Sequence, residues 1–316
     1  MKKLLALILT VTLTLSIFLT TSCEKPDDTA ISIGVMAGPT GMGMAKLMED
    51  NKDSDEKYTF TVYSSKPTDF LPTLTNGTHD MLCLPTNVAA NLAIKSPDRF
   101  TVLAINTLGA LSLLTDDTVT VNSISDLEGK TVYASEPNST TRPIINYILE
   151  QYNVNAEVIF ADSHDELVQM VGKGGAPIAI LPEPKASAAI SANSKMSVDL
   201  NLTEAWNEVS DTPPVMGCIV VNNDFLNAHK SVVDRFLEEY EASLDFVSNP
   251  EYLDTAAEMI VAASIVPKLP LATKALKSLN DGGALDFIKG EKMKEALVAF
   301  YNAIGQALPS DSFYYE

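Results

Sequence analysis

Between residues 31 and 181 the chain alternates short apolar runs with stretches whose apolar residues recur at helical spacing, a rhythm that leaves few folds open. Strand and helix in repeated alternation build an α/β architecture whose strands run mainly parallel. The first series predicts strands over Ile31–Ala37, Tyr58–Tyr63, Asp80–Leu84 and Phe100–Leu108, and helices over Gly41–Glu49, Thr68–Thr75 and Thr86–Ile94. After the run Leu111–Thr115 a second series begins. It predicts strands over Thr131–Ala134, Glu157–Ala161 and Ala176–Leu181, and helices over Arg142–Tyr152 and Ser163–Val171. Thr212-Pro213-Pro214 then breaks the chain before Val215–Val221, a continuous apolar run of the kind buried strands show, read as a return to the first series. Beyond Asn223 helical periodicity dominates, with Val232, Val233, Phe236, Leu237 and Tyr240 on one face and Leu297, Phe300, Tyr301 and Ile304 on another. The expected fold is α/β with two lobes: 31–108 as the N-terminal part of lobe 1, 109–213 as lobe 2, and 214–316 as the return crossing with helices packed on lobe 1. Two open sheets joined by two crossings leave a cleft, and ligands of open α/β sheets bind beyond the carboxyl ends of the strands.

The first residues, MKKLLALILTVTLTLSIFLTTSC, combine two lysines, an apolar run and small residues before a cysteine, the pattern of an export signal. Residues 1–22 read as a signal peptide and 23–30 as a polar tether. The sequence Leu19-Thr20-Thr21-Ser22-Cys23 resembles a bacterial lipobox, which implies a lipid on Cys23 and a membrane-anchored, extracytoplasmic protein. An ordinary secretory signal cut nearby is the alternative. With a formal net charge of −19, the chain is a poor partner for nucleic acid. Cys83 and Cys218 each sit inside an apolar run, as buried thiols do, although their spacing also permits a disulfide.

Three predicted strand ends meet helix starts with hydroxyl or amide side chains beside free backbone N–H groups, an arrangement suited to fixing the polar atoms of a small ligand. They are Gly38-Pro39-Thr40-Gly41-Met42, Pro85-Thr86-Asn87, and Glu136-Pro137-Asn138-Ser139-Thr140-Thr141-Arg142. In the first, the glycines would let the backbone approach a ligand, with the N–H groups of Gly41 to Gly43 aimed at an acceptor and Met42 touching it. The same turn reads equally as a tight turn feeding a capped helix. Thr86, Asn138, Ser139 and Thr140 are natural caps as well as candidate contacts. Arg142, the cation of these loops, could hold a carboxylate, sulfonate or phosphonate, or lie on the surface near Glu136. Tyr63 ends a strand and could reach the cleft, while Trp206 reads as a packing residue. No cofactor is expected, and the three histidines, His79, His164 and His229, fall in no metal-binding or catalytic spacing.

Four stretches together resemble the solute-binding proteins of ABC importers, in the branch that takes nitrate, sulfonates, taurine and thiamine precursors. They are Asn76-Gly77-Thr78-His79-Asp80 with the strand and loop that follow, Ser125–Lys130, the Gly174–Pro184 strand ending in Glu183-Pro184, and Asn223–Lys230. The resemblance implies a two-lobed periplasmic-binding-protein fold of type II. It implies a binding function without catalysis, with Glu183 accepting from a ligand N–H or linking the lobes. The ligand would be a sulfonate, a carboxylate, a nitrate-like anion or a pyrimidine-type heterocycle. An ABC permease with its ATPase would be the partner, together with the membrane through the lipid anchor. Two other readings stay open: a binding subunit of another transporter or of a sensor, and a secreted enzyme on the same bilobal fold, akin to a pyrimidine-precursor synthase.

Overall fold

A computed structural model describes residues 27–53, 57–64 and 66–316, so the expectations for the signal peptide and for Cys23 lie outside the described residues. The chain first lays down β1 (Ile31–Met36), α1 (Pro39–Met42), α2 (Ala45–Asp50), β2 (Tyr58–Tyr63), α3 (Pro67–Thr75), β3 (Met81–Pro85), α4 (Thr86–Lys95) and β4 (Phe100–Thr107). It then crosses to β5 (Leu111–Thr115), β6 (Thr131–Ser135), α5 (Thr141–Gln151), β7 (Glu157–Ala161), α6 (His164–Gly172), β8 (Ile178–Pro182), α7 (Lys185–Ala192), β9 (Ser197–Asn201) and α8 (Leu202–Asn207). It returns as β10 (Gly217–Asn222) and closes with α9 (Asn223–Ala228), α10 (Lys230–Ser248), α11 (Leu253–Ala262), α12 (Leu269–Asp281) and α13 (Gly290–Ala303).

The two sheets repeat one plan, with strand orders β2-β1-β3-β10-β4 and β7-β6-β8-β5-β9. Within each, the first three strands in space run parallel and the fourth is antiparallel to both neighbours. That antiparallel strand is in both cases the one entered directly after a crossing: β5 on the way out and β10 on the way back. The apolar run Val215–Val221 is therefore a central strand, and every residue of β10 is buried. The sequence pattern missed α7, rich in alanine and serine, and β9, whose Ser197, Asp199 and Asn201 lack the apolar signature of a strand.

The C-terminal helices cover both faces of the first sheet. Val232, Val233, Phe236 and Tyr240 of α10 pack with Ile33, Val35 and Leu47, while Phe300 and Tyr301 of α13 join Leu84, Val102 and Val220 on the opposite side. Trp206 of α8, fully buried, lies 4.4 Å between ring centroids from Tyr147 and 5.6 Å from Phe300 of α13, so it ties the second sheet's helices to those of the first. Its indole N–H donates to the Thr212 carbonyl. Cys83 and Cys218 are free thiols on adjacent buried strands, and burial pushes the Cys83 thiol up to about 12, far from a reactive thiolate. Among the described residues, no helix is long and apolar enough to cross a membrane.

Candidate functional site

Between the sheets lies a cavity of about 650 Å³, within the range of small-molecule sites. Its wall is built from the carboxyl ends of equivalent strands. The first sheet contributes Met36 to Thr40 after β1, Ser64, Lys66 and Asp69 after β2, and Pro85 after β3. The second contributes Glu136 and Ser139 to Thr141 after β6, Ser163 to Asp165 after β7, and Pro182 to Lys185 after β8. Met216 and the α11–α12 loop, with Ile265 and Pro267, close the remaining side.

The GPTGMG turn places Gly38, Pro39 and Thr40 on this wall, with Gly38 at φ 115°, a conformation open to glycine. It does not present its N–H groups to the cavity. The N–H groups of Gly41 and Met42 both donate to the Gly38 carbonyl, and that of Gly43 to the Gly41 carbonyl. Gly41 is small for another reason: a Cβ there would stand 2.4 Å from the Met36 carbonyl oxygen and 2.8 Å from Val35. Met42 is fully buried in the core beneath the turn and not a wall residue. The expected helix over Gly41–Glu49 is thus two short helices, broken at Gly43-Met44.

Thr86 and Asn87 start α4 but face inward. The Thr86 hydroxyl donates to the Val215 carbonyl at 2.6 Å, and the Asn87 amide donates to the Asn138 carbonyl at 3.0 Å. That second bond crosses from one sheet's loops to the other's, so Asn87 and Asn138 bridge the lips of the cleft without lining it. Ser139 and Thr140 do line it. The Ser139 hydroxyl also donates to the Glu136 carbonyl and accepts from the Thr141 N–H, which combines wall and helix start. Arg142 points away from the cavity. Its guanidinium stacks 4.1 Å from the Phe160 ring centroid and its Nε donates to the Pro137 carbonyl, which removes it as the cation of the site. Tyr63 is likewise outside, stacked on Phe70 and bonded to His79.

The ionisable groups of the cavity were the weakest part of the sequence pattern, because Lys66, Asp69, His164, Asp165 and Lys185 belong to no motif. Parallel topology is what joins them, since each follows a strand that ends at the cleft. Glu183 is buried, accepts from the Ser187 N–H at 3.2 Å and its hydroxyl at 3.0 Å, and lies beside Lys274 and Ser278 of α12. It therefore caps α7 and meets the helix that closes the first lobe; burial raises its pKa. Glu136 projects its carboxylate 3.4 Å from His164 Nε2, while His164 Nδ1 faces the Ser135 hydroxyl at 2.6 Å. Burial pushes Glu136 up to about 7 and His164 down to about 4, so near neutrality His164 is uncharged. No cluster of three or more His, Cys, Asp or Glu side chains among the described residues could hold a metal ion.

The sequence profile described as NMT1/THI5 like matches residues 66–252, more than half of the chain. The chain belongs to the NMT1/THI5-like family. No curated protein matches it. Among solved structures it is similar to an ABC transporter protein from Parabacteroides distasonis, with TM-score 0.74 and 19% identity over 92% of this chain and 99% of the other. It is similar to the periplasmic aliphatic sulphonate binding protein SsuA from Escherichia coli, with TM-score 0.68 and 14% identity over 91% and 92% of the two chains. The periplasmic nitrate-binding protein NrtA from Synechocystis matches with TM-score 0.62 and 11% identity, over 85% of this chain and 75% of the other. At these identities the likeness is one of fold: the NMT1/THI5-like chain has the periplasmic-binding-protein architecture.

Proposed function

We propose that the chain is the extracytoplasmic substrate-binding component of an ABC importer, which captures a small solute between its lobes and delivers it to a membrane permease. The observation that carries the reading is the cavity of about 650 Å³ walled by loops of both sheets. A solute inside it touches both walls only while they are together. It thus binds the closed arrangement more tightly than an open one and shifts the population toward it. The binding components among the similar structures support the same role, and the lobes that move would divide near residues 109 and 214.

Gly38, Pro39, Thr40, Ser139, Thr140 and Glu183 are the proposed contacts, together with Glu136 and Lys66 from opposite walls. Thr86, Asn87 and Asn138 support them, and Gly41 and Met42 shape the turn from behind. A nitrate-sized anion would fill a small part of this volume, so the solute is an organic molecule. It binds and is released unchanged, without turnover. The export signal and Cys23 would place the protein outside the cytoplasm on a lipid anchor, and Cys23→Ala should release it from membranes or leave the precursor uncut.

The test is a thermal-shift screen of metabolites on the mature protein, followed by calorimetry. At about a hundred times its dissociation constant a specific solute adds ~2.7 kcal/mol of stability, an easily seen shift. One solute bound per chain and recovered unchanged supports the role. A screen without any stabilising compound, or a hit that is consumed, contradicts it.

A further inference from the structure

We infer that the solute is an aliphatic amine or a related organic cation, whose charged nitrogen sits against the carboxylate of Glu136. The inference rests on the solute-capture reading above and names the ligand class of that same cleft.

The described wall offers no arginine, and its two lysines are Lys66 and Lys185. Lys185 is paired with Asp165. Four carboxyl groups share the wall: Asp69, Glu136, Asp165 and Glu183. Asp69 sits on the exposed rim, Asp165 holds Lys185, and Glu183 is occupied by Ser187. Glu136 accepts from the His164 backbone N–H and, with no lysine paired to it among the described residues, keeps lone pairs for a ligand. Its side chain is only 17% exposed and its nearest cationic candidate within the second lobe, His164 at 3.4 Å, is neutral near pH 7.

The backbone at Glu136 points the same way. It holds φ 53°, in the left-handed region where a Cβ costs about 1–2 kcal/mol, at the start of the turn after β6. The equivalent residue after β1, by the matching bonds from the Ala37 N–H to the Tyr63 carbonyl and from the Glu136 N–H to the Ala161 carbonyl, is Ala37, which has no positive φ. The turn after β6 sets the strained Glu136 on the cavity wall, and backbone strain of this kind gathers at ligand sites.

The rest of the wall describes the ligand's body. Met36, Met216, Ile265 and Leu271 line it with five prolines, and no Phe, Tyr or Trp does among the described residues. A flat heterocycle would find no ring to stack on, whereas a flexible aliphatic skeleton fits such a surface.

Burial raises the Glu136 carboxyl to about 7; Lys66 and Lys185 pull it down, Asp165 pushes it up, and the His164 backbone N–H, which donates to it, pulls it down. A bound cation closer than Lys66 and Lys185 would add counter-charge and favour the ionised form. An anion would need the opposite state, with Glu136 protonated and Lys66 as its partner. The two ligand classes therefore predict opposite pH dependences.

The test uses the mature protein and matched primary amines, sulfonates and carboxylates on the same aliphatic skeletons, measured by calorimetry at about pH 6 and about pH 8. Amines should bind, and about tenfold more tightly at the higher pH, as the ionised fraction of a group titrating near 7 grows about tenfold over that window. Glu136→Gln should lose that dependence and at least about tenfold in affinity at the higher pH. Preference for the anions, affinity that falls as pH rises, or amine binding indifferent to Glu136→Gln would overturn the assignment, as would failure of every amine. If the variant does not fold, the wild-type pH dependence alone decides. Anionic hits overturn the ligand class and leave solute capture standing, whereas silence of the wider metabolite screen removes capture itself.

Discussion

The two lobes use one scaffold for different work. Strands β1, β2 and β3 of the first sheet correspond in order and direction to β6, β7 and β8 of the second, and each ends at the cleft. After β1 the turn is glycine, proline and threonine; after β6 it is Glu136 followed by Ser139, Thr140 and Thr141. After β3 the chain dives into the core through Thr86 and Asn87, whereas after β8 it sets Glu183 and Lys185 on the wall. Most of the ionisable groups thus come from lobe 2, and lobe 1 supplies shape. Backbone conformation differs at the two turns: φ is 53° at Glu136, whereas in lobe 1 the positive φ, 115°, falls one residue later, at Gly38. Lobe 2 thus sets a carboxylate at a strained position where lobe 1 has Ala37.

The junction of the lobes is where a substitution should do the most damage. Trp206→Ala would empty a site shared by Tyr147 and Phe300 and should cost about 3–5 kcal/mol of stability by chemical denaturation. A loss below about 1 kcal/mol would mean that the lobes do not depend on this contact. Gly41→Val, in the shape-giving turn, should cost about 3 kcal/mol, because the added carbon meets strand backbone that cannot move aside. Full stability with weakened solute binding would instead put the glycine at the ligand.

Opposite behaviour is expected of the turn in lobe 2. Glu136→Gly should raise stability by about 1 kcal/mol, by relieving the left-handed backbone and removing a buried carboxyl, while weakening binding. A destabilised variant would contradict the strain argument.

Titration sharpens the contrast within lobe 2. The folded state holds a proton on Glu136 between about 4.5 and 7 that the unfolded chain has lost, so this group makes stability fall as pH rises through that window. His164 is neutral when folded between about 4 and 6.5, where the unfolded chain binds a proton, so its contribution rises with pH. In the wild type the two oppose each other. Glu136→Gln should unmask a rise of roughly 1 kcal/mol per pH unit near pH 5–6, and His164→Gln a comparable fall. Parallel melting curves for the three proteins across that range would show that the pair is not titrating as described. The smallest effect belongs to Arg142→Ala, about 0.5–1 kcal/mol of stability from its stack on Phe160, with solute affinity unchanged.

What the sequence revealed of all this follows from periodicity. Apolar runs such as Val215–Val221 mark buried strands because both faces of a sheet covered by helices are apolar. Hence the strands that build the two sheets could be read, apart from β9, whose alternation of polar residues carries no such mark. The wall loops were found wherever glycine, proline or hydroxyl residues punctuate a strand end, as at Gly38–Thr40 and Ser139–Thr140. The direction in which a side chain leaves its loop was not readable, so Arg142 and Met42 were expected at the ligand although one stacks on Phe160 and the other fills the core. Lys66 was not singled out and His164 fell in no motif for the reverse reason: lying nearly a hundred residues apart, they reach one cavity only through the folding of both sheets.

The central claim is that the cavity is an interlobe site that closes on its solute, and a distance across its mouth tests it most directly. Spin labels at Thr68→Cys and Asp162→Cys, exposed positions next to the wall residues Asp69 and Ser163 of opposite lobes, report that distance by pulsed electron paramagnetic resonance, with Cys23→Ser removing the third reactive thiol and the buried Cys83 and Cys218 left unlabelled. With a solute taken from the screen, the distribution should shorten and narrow on saturation. A distribution that is unchanged while calorimetry shows the solute fully bound would contradict closure and with it the proposed mode of capture.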